Sequence, residues 1–234
     1  MIQMKAPTKF LIFPSLAILI VSCTTISYVP KVSLDLSPKT INKFVQVDRF
    51  TDVSPSDDKM NPFMGLSVTG QESLASELDL EVTNAVIADF SANRLFEKVG
   101  RKVENPNLII KGEIKRFYGK FQYNAFARVS SVMGTVGAIG SLFTPWAALA
   151  CLPELVWFFG VPVSTNTSEV VIEMKIYDNN YNLINTYTGK SIDFISASMY
   201  RDKSLQVPTM TNKTFTKAIM QIRDQILADT DKFD

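Results

Sequence analysis

The chain of 234 residues contains no histidine. That removes every catalytic triad and every metal site that depends on an imidazole. Cysteine is nearly as scarce: Cys23 and Cys151 are the two in the sequence, too few for a thiolate zinc cluster. Charge of neither sign dominates, with 24 basic and 23 acidic residues, so no electrostatic case exists for a nucleic-acid partner. Gly-x-Gly-x-x-Gly spacing is missing, and so is the lysine that a phosphate loop requires. The acid pair Asp57/Asp58 lies among Ser54, Pro55 and Ser56, next to Asn61-Pro62, and reads as a solvated loop rather than as acid–base machinery. These absences point to a non-enzyme without cofactor or metal.

What is there begins at the N-terminus. Met1 to Lys9 carries Lys5 and Lys9 and no acid, and Phe10 to Val21 is apolar apart from Pro14 and Ser15. A basic start, an apolar middle and a small residue before the cut make a secretory signal peptide. A dozen apolar residues are too few to span a bilayer comfortably as a helix. The junction Ile20-Val21-Ser22-Cys23 resembles the lipobox of bacterial lipoproteins. The resemblance implies cleavage before Cys23, a diacylglycerol on its sulfur and a further acyl chain, commonly palmitate, on its new amine. Each buried methylene contributes about 0.8 kcal/mol, and two or more chains hold a protein firmly to a membrane. Thr24 follows the cysteine, where aspartate marks inner-membrane retention in enteric lipoproteins. The resemblance therefore implies the outer membrane, facing the periplasm.

On this reading residues 1–22 are signal peptide, 23–41 a lipidated tether and 42–234 one domain. Signal removal leaves 22 basic against 23 acidic residues. Cys151 would then be the sole thiol, and within Ala148–Leu152 it reads as a small apolar filler.

The domain reads as α+β. Phe44–Phe50 is a strand by partial alternation, and Ser73–Val99 a long helix with Leu74, Leu78, Val82, Val86 and Phe90 at steps of four. Asp89 falls at the edge of that stripe, where a solvated position is expected, and Gly100 is placed to end the helix. Leu108–Ile114 is a strand that continues toward Tyr123. Val170, Ile172, Met174 and Ile176 alternate with Val171, Glu173, Lys175 and Tyr177, and Asp178-Asn179-Asn180 turns the chain into Leu183–Tyr187. Thr211–Leu227 is the last helix, with Thr211 as its cap. The economical packing is a small, mostly antiparallel sheet with two long amphipathic helices on one face. This element order resembles small α+β envelope lipoproteins: auxiliary lipoproteins of lipid-transport ABC systems, and the core of the curli-secretion channel lipoprotein. The resemblance carries over no functional residue besides Cys23.

Residues 129–163 form an apolar insertion whose one charged residue is Glu154. Pro145, Pro153 and Pro162 break it, so a helical hairpin is expected rather than one helix. Three readings stay open: a cover for the domain, a segment dipping into the membrane, or a subunit interface. Trp146, Leu149, Leu155, Trp157, Phe158 and Phe159 are the candidate membrane or partner contacts. Gly134, Gly137 and Gly140 would let helices approach closely. Together these features describe a membrane-anchored module of the bacterial cell envelope. It would bind an envelope protein or lipid during transport or assembly. The alternative is a subunit of an oligomeric outer-membrane secretion channel.

Overall fold

The computed structural model describes residues 36–37, 39–58, 68–69, 77–198, 200 and 203–233. Cys23, the signal peptide and most of the tether lie outside these residues, as do Asn61-Pro62 and residues 73–76.

Strand β1 (Ile41–Val47) is followed by the two-residue β2 (Thr51–Asp52), a 3-10 turn at Ser56–Asp58, β3 (Val68–Thr69) and helix α1 (Leu78–Ala92). Helix α1 buries Leu78, Val82, Val86 and Phe90, one residue per turn. It stops seven residues short of Val99. The Asn93 side-chain amide donates to Asp89 Oδ1 at 2.8 Å, and Arg94 takes a positive φ of 55°. The chain reverses there and returns as β4 (Phe96–Gly100), parallel to β1. Gly100 therefore belongs to a strand and ends no helix. Apolar Leu95 and Phe96 prolong the helical pattern past the point where the backbone leaves it.

Strands β5 (Leu108–Tyr123), β6 (Pro162–Asp178) and β7 (Leu183–Ser198) are long and antiparallel. Strand order is β4-β1-β5-β6-β7, with β2 and β3 also pairing with β5. The sheet is mixed. Its parallel part, β4-β1-β5, is short, and its long ladders are antiparallel. A bulge between Ile114 and Arg116 shifts the phase of β5. Before it Leu108, Ile110 and Ile114 face the core, and after it Phe117 does. Between β5 and β6 the chain builds helix α2 (Ala125–Gly140) and a series of short turns.

Helix α3 (Lys203–Ala228) closes the fold. It begins eight residues before Thr211, which is buried inside the helix and donates its hydroxyl to the Val207 carbonyl at 2.8 Å rather than capping. Pro208 lies in its second turn, early enough to be accommodated. Phe215, Ile219, Ile222 and Ile226 join α1 and the sheet in one core, so α1 and α3 cover the same face. The α+β class expected from the pattern is what the chain forms.

The opposite face of the sheet is charged. Lys175 meets Glu113 at 3.1 Å and Glu173 at 3.2 Å, and Lys115 pairs with Glu113. Alternation along β5 and β6 puts these residues on the water side.

Candidate functional site

Two groupings stand apart from the core. The first is ionic. Asp58 is not solvated: its side chain is 1% exposed, and Arg116 holds it through two nitrogens at 2.9 and 3.1 Å. Arg116 Nη1 also reaches Glu169 at 2.8 Å, and the Tyr118 hydroxyl donates to the same Glu169 oxygen at 2.9 Å. The bulge in β5 aims Arg116 at both acids. The Asp58 side-chain hydrogen bonds hold the Arg116 pKa above its usual range. Burial first, then the Glu169 hydrogen bond, push the Tyr118 phenol up to about 12. Both groups thus stay protonated at neutral pH, and the acids are occupied by them. The cluster ties the Ser56–Asp58 turn to the sheet. Among the described residues no group of three or more cysteines or carboxylates is placed to hold a metal.

The second grouping is the insertion. Its base is clamped at Asn124, whose amide donates to the Val163 carbonyl at 3.0 Å. The Asn124 side chain accepts from the Ala127 amide at 2.7 Å, capping α2. Helix α2 turns Ala127, Ser130, Gly134 and Gly137 inward. The second arm is a 3-10 segment (Pro145–Cys151), one α-turn (Leu152–Leu155) and another 3-10 turn (Val156–Phe159), as its prolines dictate. A Cβ on Gly137 would come within 2.9 Å of the Ala147 carbonyl oxygen and the Ala150 Cβ, and one on Gly140 within 2.8 Å of the Ala147 Cβ. Cys151 lies half-buried in the seam, its Sγ 3.5 Å from the Gly134 carbonyl oxygen. The glycines thus join the two arms of one chain.

Of the candidate contact residues, Trp146, Leu149, Leu155, Phe158 and Phe159 are exposed. Trp157 is not among them. It turns back toward α2, half-buried, and donates its indole N–H to Ser130 Oγ at 3.1 Å. Buried indoles seek such acceptors, and a serine one turn into an apolar helix is the signal that names the partner. Pattern reading passed over Val129, Val132, Val136, Ile139, Leu142 and Phe143 as contacts, yet all are exposed. Fifteen of the 22 large apolar side chains exposed among the described residues lie between Phe126 and Phe159. That concentration is far from the scattered exposure normal on a protein surface. Phe143, Trp146 and Phe159 reach 82, 80 and 85% exposure. No helix among the described residues is long and apolar enough to cross a membrane.

Cys23 lies outside the described residues. No family model matches the chain, and no curated protein does. Among solved structures it is similar to a Xanthomonas campestris protein placed in family DUF330. The identity is 9% over 87% of this chain and 98% of that one, with a TM-score of 0.46. A second similar structure, titled only as an uncharacterized protein, is 11% identical over 86% of this chain and 97% of its own, with a TM-score of 0.40. Similarity this distant assigns neither a family nor an activity.

Proposed function

We propose that the chain is a lipid-anchored protein of the bacterial envelope that works without catalysis, as a binding or assembly module in envelope transport. The observation that carries this reading is the concentration of exposed large apolar side chains, fifteen of the 22 among the described residues, on the segment between Phe126 and Phe159. Burying this apolar tip releases roughly 25 cal/mol per Å² of apolar surface, which is a driving force for docking. The lipobox-like junction at Cys23 supplies the anchor, and Thr24 favours the outer membrane. A secreted Cys23→Ala variant with a replacement signal tests the division of labour. Release of that variant by a high-salt wash, with the wild type retained, supports a lipid anchor. Equal retention of both after carbonate would rule out Cys23 as the anchor.

A second reading has one observation in its favour. Val129, Val132, Val136 and Ile139 recur at steps of three and four along α2, all exposed. A seam of β-branched residues at that spacing suits packing against further helices. On this reading the chain is a subunit of an oligomeric outer-membrane channel. Light scattering of the detergent-solubilised protein decides it, and a monomer there eliminates the channel.

A further inference from the structure

We infer that the anchor and the apolar tip engage two different lipid surfaces, which the protein bridges; this rests on the reading of Cys23 as the acylated residue. The end of the tether is pinned. Ser37 donates its amide to the Asn93 carbonyl at 2.9 Å, and Ile41 donates its own to Leu95 at 2.9 Å. Strand β1 runs parallel to β5 with Val45 opposite Leu108, so Ile41 lies beyond the first residue of β5. The tip leaves from the far end of β5, at Tyr123. A strand the length of β5 covers about 50 Å, and the stretch of β1 below it adds about 13 Å. The base of the tip is thus roughly 60 Å from the pinned tether. From Cys23 to Ser37 the chain reaches at most about 50 Å when fully extended. A membrane that holds Cys23 is therefore out of reach of the tip when the sheet stands upright on it.

Laying the sheet along the membrane would lower both ends. It would also press a side of the charged body onto the headgroups and leave half of the tip in water. Upright, the base of the tip is held at the end of β5 remote from the tether, roughly 60 Å above its own membrane.

Lipid is the occupant that fits the tip. Both arms are apolar on their outward sides, and a groove in a partner protein covers one side where acyl chains surround all of them. Arg128 stands exposed at the base, at the level where lipid phosphates would lie. Helix α2 is about 24 Å long, enough to enter a bilayer and short of crossing its roughly 30 Å core. Exposed Phe143 and Trp146, in the turn at the far end of α2, supply large apolar side chains for the acyl interior.

The test uses the full acylated chain in vesicles of phosphatidylethanolamine and phosphatidylglycerol, mixed with fluorescent vesicles that carry no protein. Bridging by the tip predicts that protein-bearing vesicles capture the empty ones. A triple variant, Phe143→Glu, Trp146→Glu and Phe159→Glu, should lower capture at least about tenfold while remaining anchored and melting as the wild type does. Clustering of protein-bearing vesicles with one another, without capture of empty ones, would overturn the inference in favour of contact between two copies. Anchoring with no clustering at all would overturn it in favour of a flat pose or a protein partner. The mass of the N-terminal peptide reads the anchor separately. An unacylated Cys23 defeats the lipoprotein reading, and bridging with it. An acylated Cys23 without capture defeats bridging alone.

Discussion

Arg223 of α3 and Asp89 of α1 face each other inside the core, with Nη1 3.5 Å from Oδ1 and each side chain 2% exposed. Asn93 donates to the same carboxylate oxygen. Both helices lie on one face of the sheet, and this pair joins them where apolar side chains would otherwise meet. Two charges this deep cost much to desolvate, and the gain on pairing roughly offsets that cost. Removing one partner is a different matter. Arg223→Met or Asp89→Leu strands a buried charge and should destabilise by about 3–5 kcal/mol. The double variant should recover most of that loss. Urea melts of the three variants measure it, and additive losses in the double variant would contradict the pairing.

Two glycines set how closely the layers approach. A Cβ on Gly112 would lie 2.3–2.4 Å from the Phe50 ring, and one on Gly189 would lie 2.1 Å from the Ala218 carbonyl oxygen. The Phe50 ring can shift slightly, although its amide is held by the Thr83 hydroxyl at 3.0 Å. The backbone of α3 cannot shift without lifting the helix. Gly112→Ala should cost about 1–3 kcal/mol, the usual range for overpacking, and Gly189→Ala more. Gly100→Ala meets Val103 at an ordinary 3.5 Å and should be close to neutral. Thermal melts of the three variants give the order.

The long antiparallel strands were legible because Val170 to Ile176 alternates without a break, and α1 because its apolar residues recur every turn. The Asp89–Arg223 pair was not. A lone acid beside an apolar stripe looks solvated until the partner on a distant helix is known. The burial of Asp58 was hidden for the same reason, since Arg116 reaches it by way of a bulge that no residue pattern announces. That Glu154 is the one charged residue between Val129 and Val163 was plain in the sequence. Which tryptophan faces outward was not, because Ser130 decides it from the other arm.

Alkaline titration should separate the tyrosines. Burial pushes both Tyr118 and Tyr187 up to about 12, with a neighbouring acid, Glu169 or Asp229, adding to it. An unfolded phenol titrates near 10. The raised folded values mean that neutral phenol is favoured in the fold. This contribution is fully present below about pH 10 and is lost as the pH rises through about 12. Tyrosinate absorbance should show Tyr118 and Tyr187 ionising late, together with unfolding. Tyr118→Phe and Tyr187→Phe should each remove one of them. A titration in which all the phenols ionise together near 10 would contradict the burial.

The ladder on the charged face predicts the acid limb. Hydrogen bonds from Lys115 and then Lys175 hold Glu113 below the usual carboxylate range. The Arg49 hydrogen bond does the same for Asp79. Carboxylates with depressed folded values stabilise above the unfolded value and lose that contribution as the pH falls through the folded one. The wild type should therefore lose stability below about pH 4. Glu113→Gln should be slightly less stable than the wild type at neutral pH, and the difference should vanish once the pH is below the depressed value. Denaturant melts across the acid range measure it. A gap between wild type and variant that persists at the lowest pH would show that Glu113 acts through packing instead of charge.

The two tryptophans report on opposite sides of the tip. Trp146 is 80% exposed, whereas Trp157 is half-buried and hydrogen-bonded to Ser130. In a Trp157→Phe variant the remaining indole should be freely quenched by acrylamide in water, with emission typical of a wet indole. In a Trp146→Phe variant the remaining indole should be several-fold less accessible. Adding lipid vesicles should shift the emission of Trp146 to the blue and protect it, because its environment changes from water to acyl chain and headgroup. Trp157 should change little, since its surroundings belong to the hairpin itself. Ser130→Ala removes the acceptor of a buried donor and should loosen Trp157 by about 1–3 kcal/mol of local stability, leaving the core melt in place. Vesicles that alter Trp157 as strongly as Trp146 would mean that the hairpin opens on contact. Vesicles that alter neither would mean that lipid is not what the tip binds.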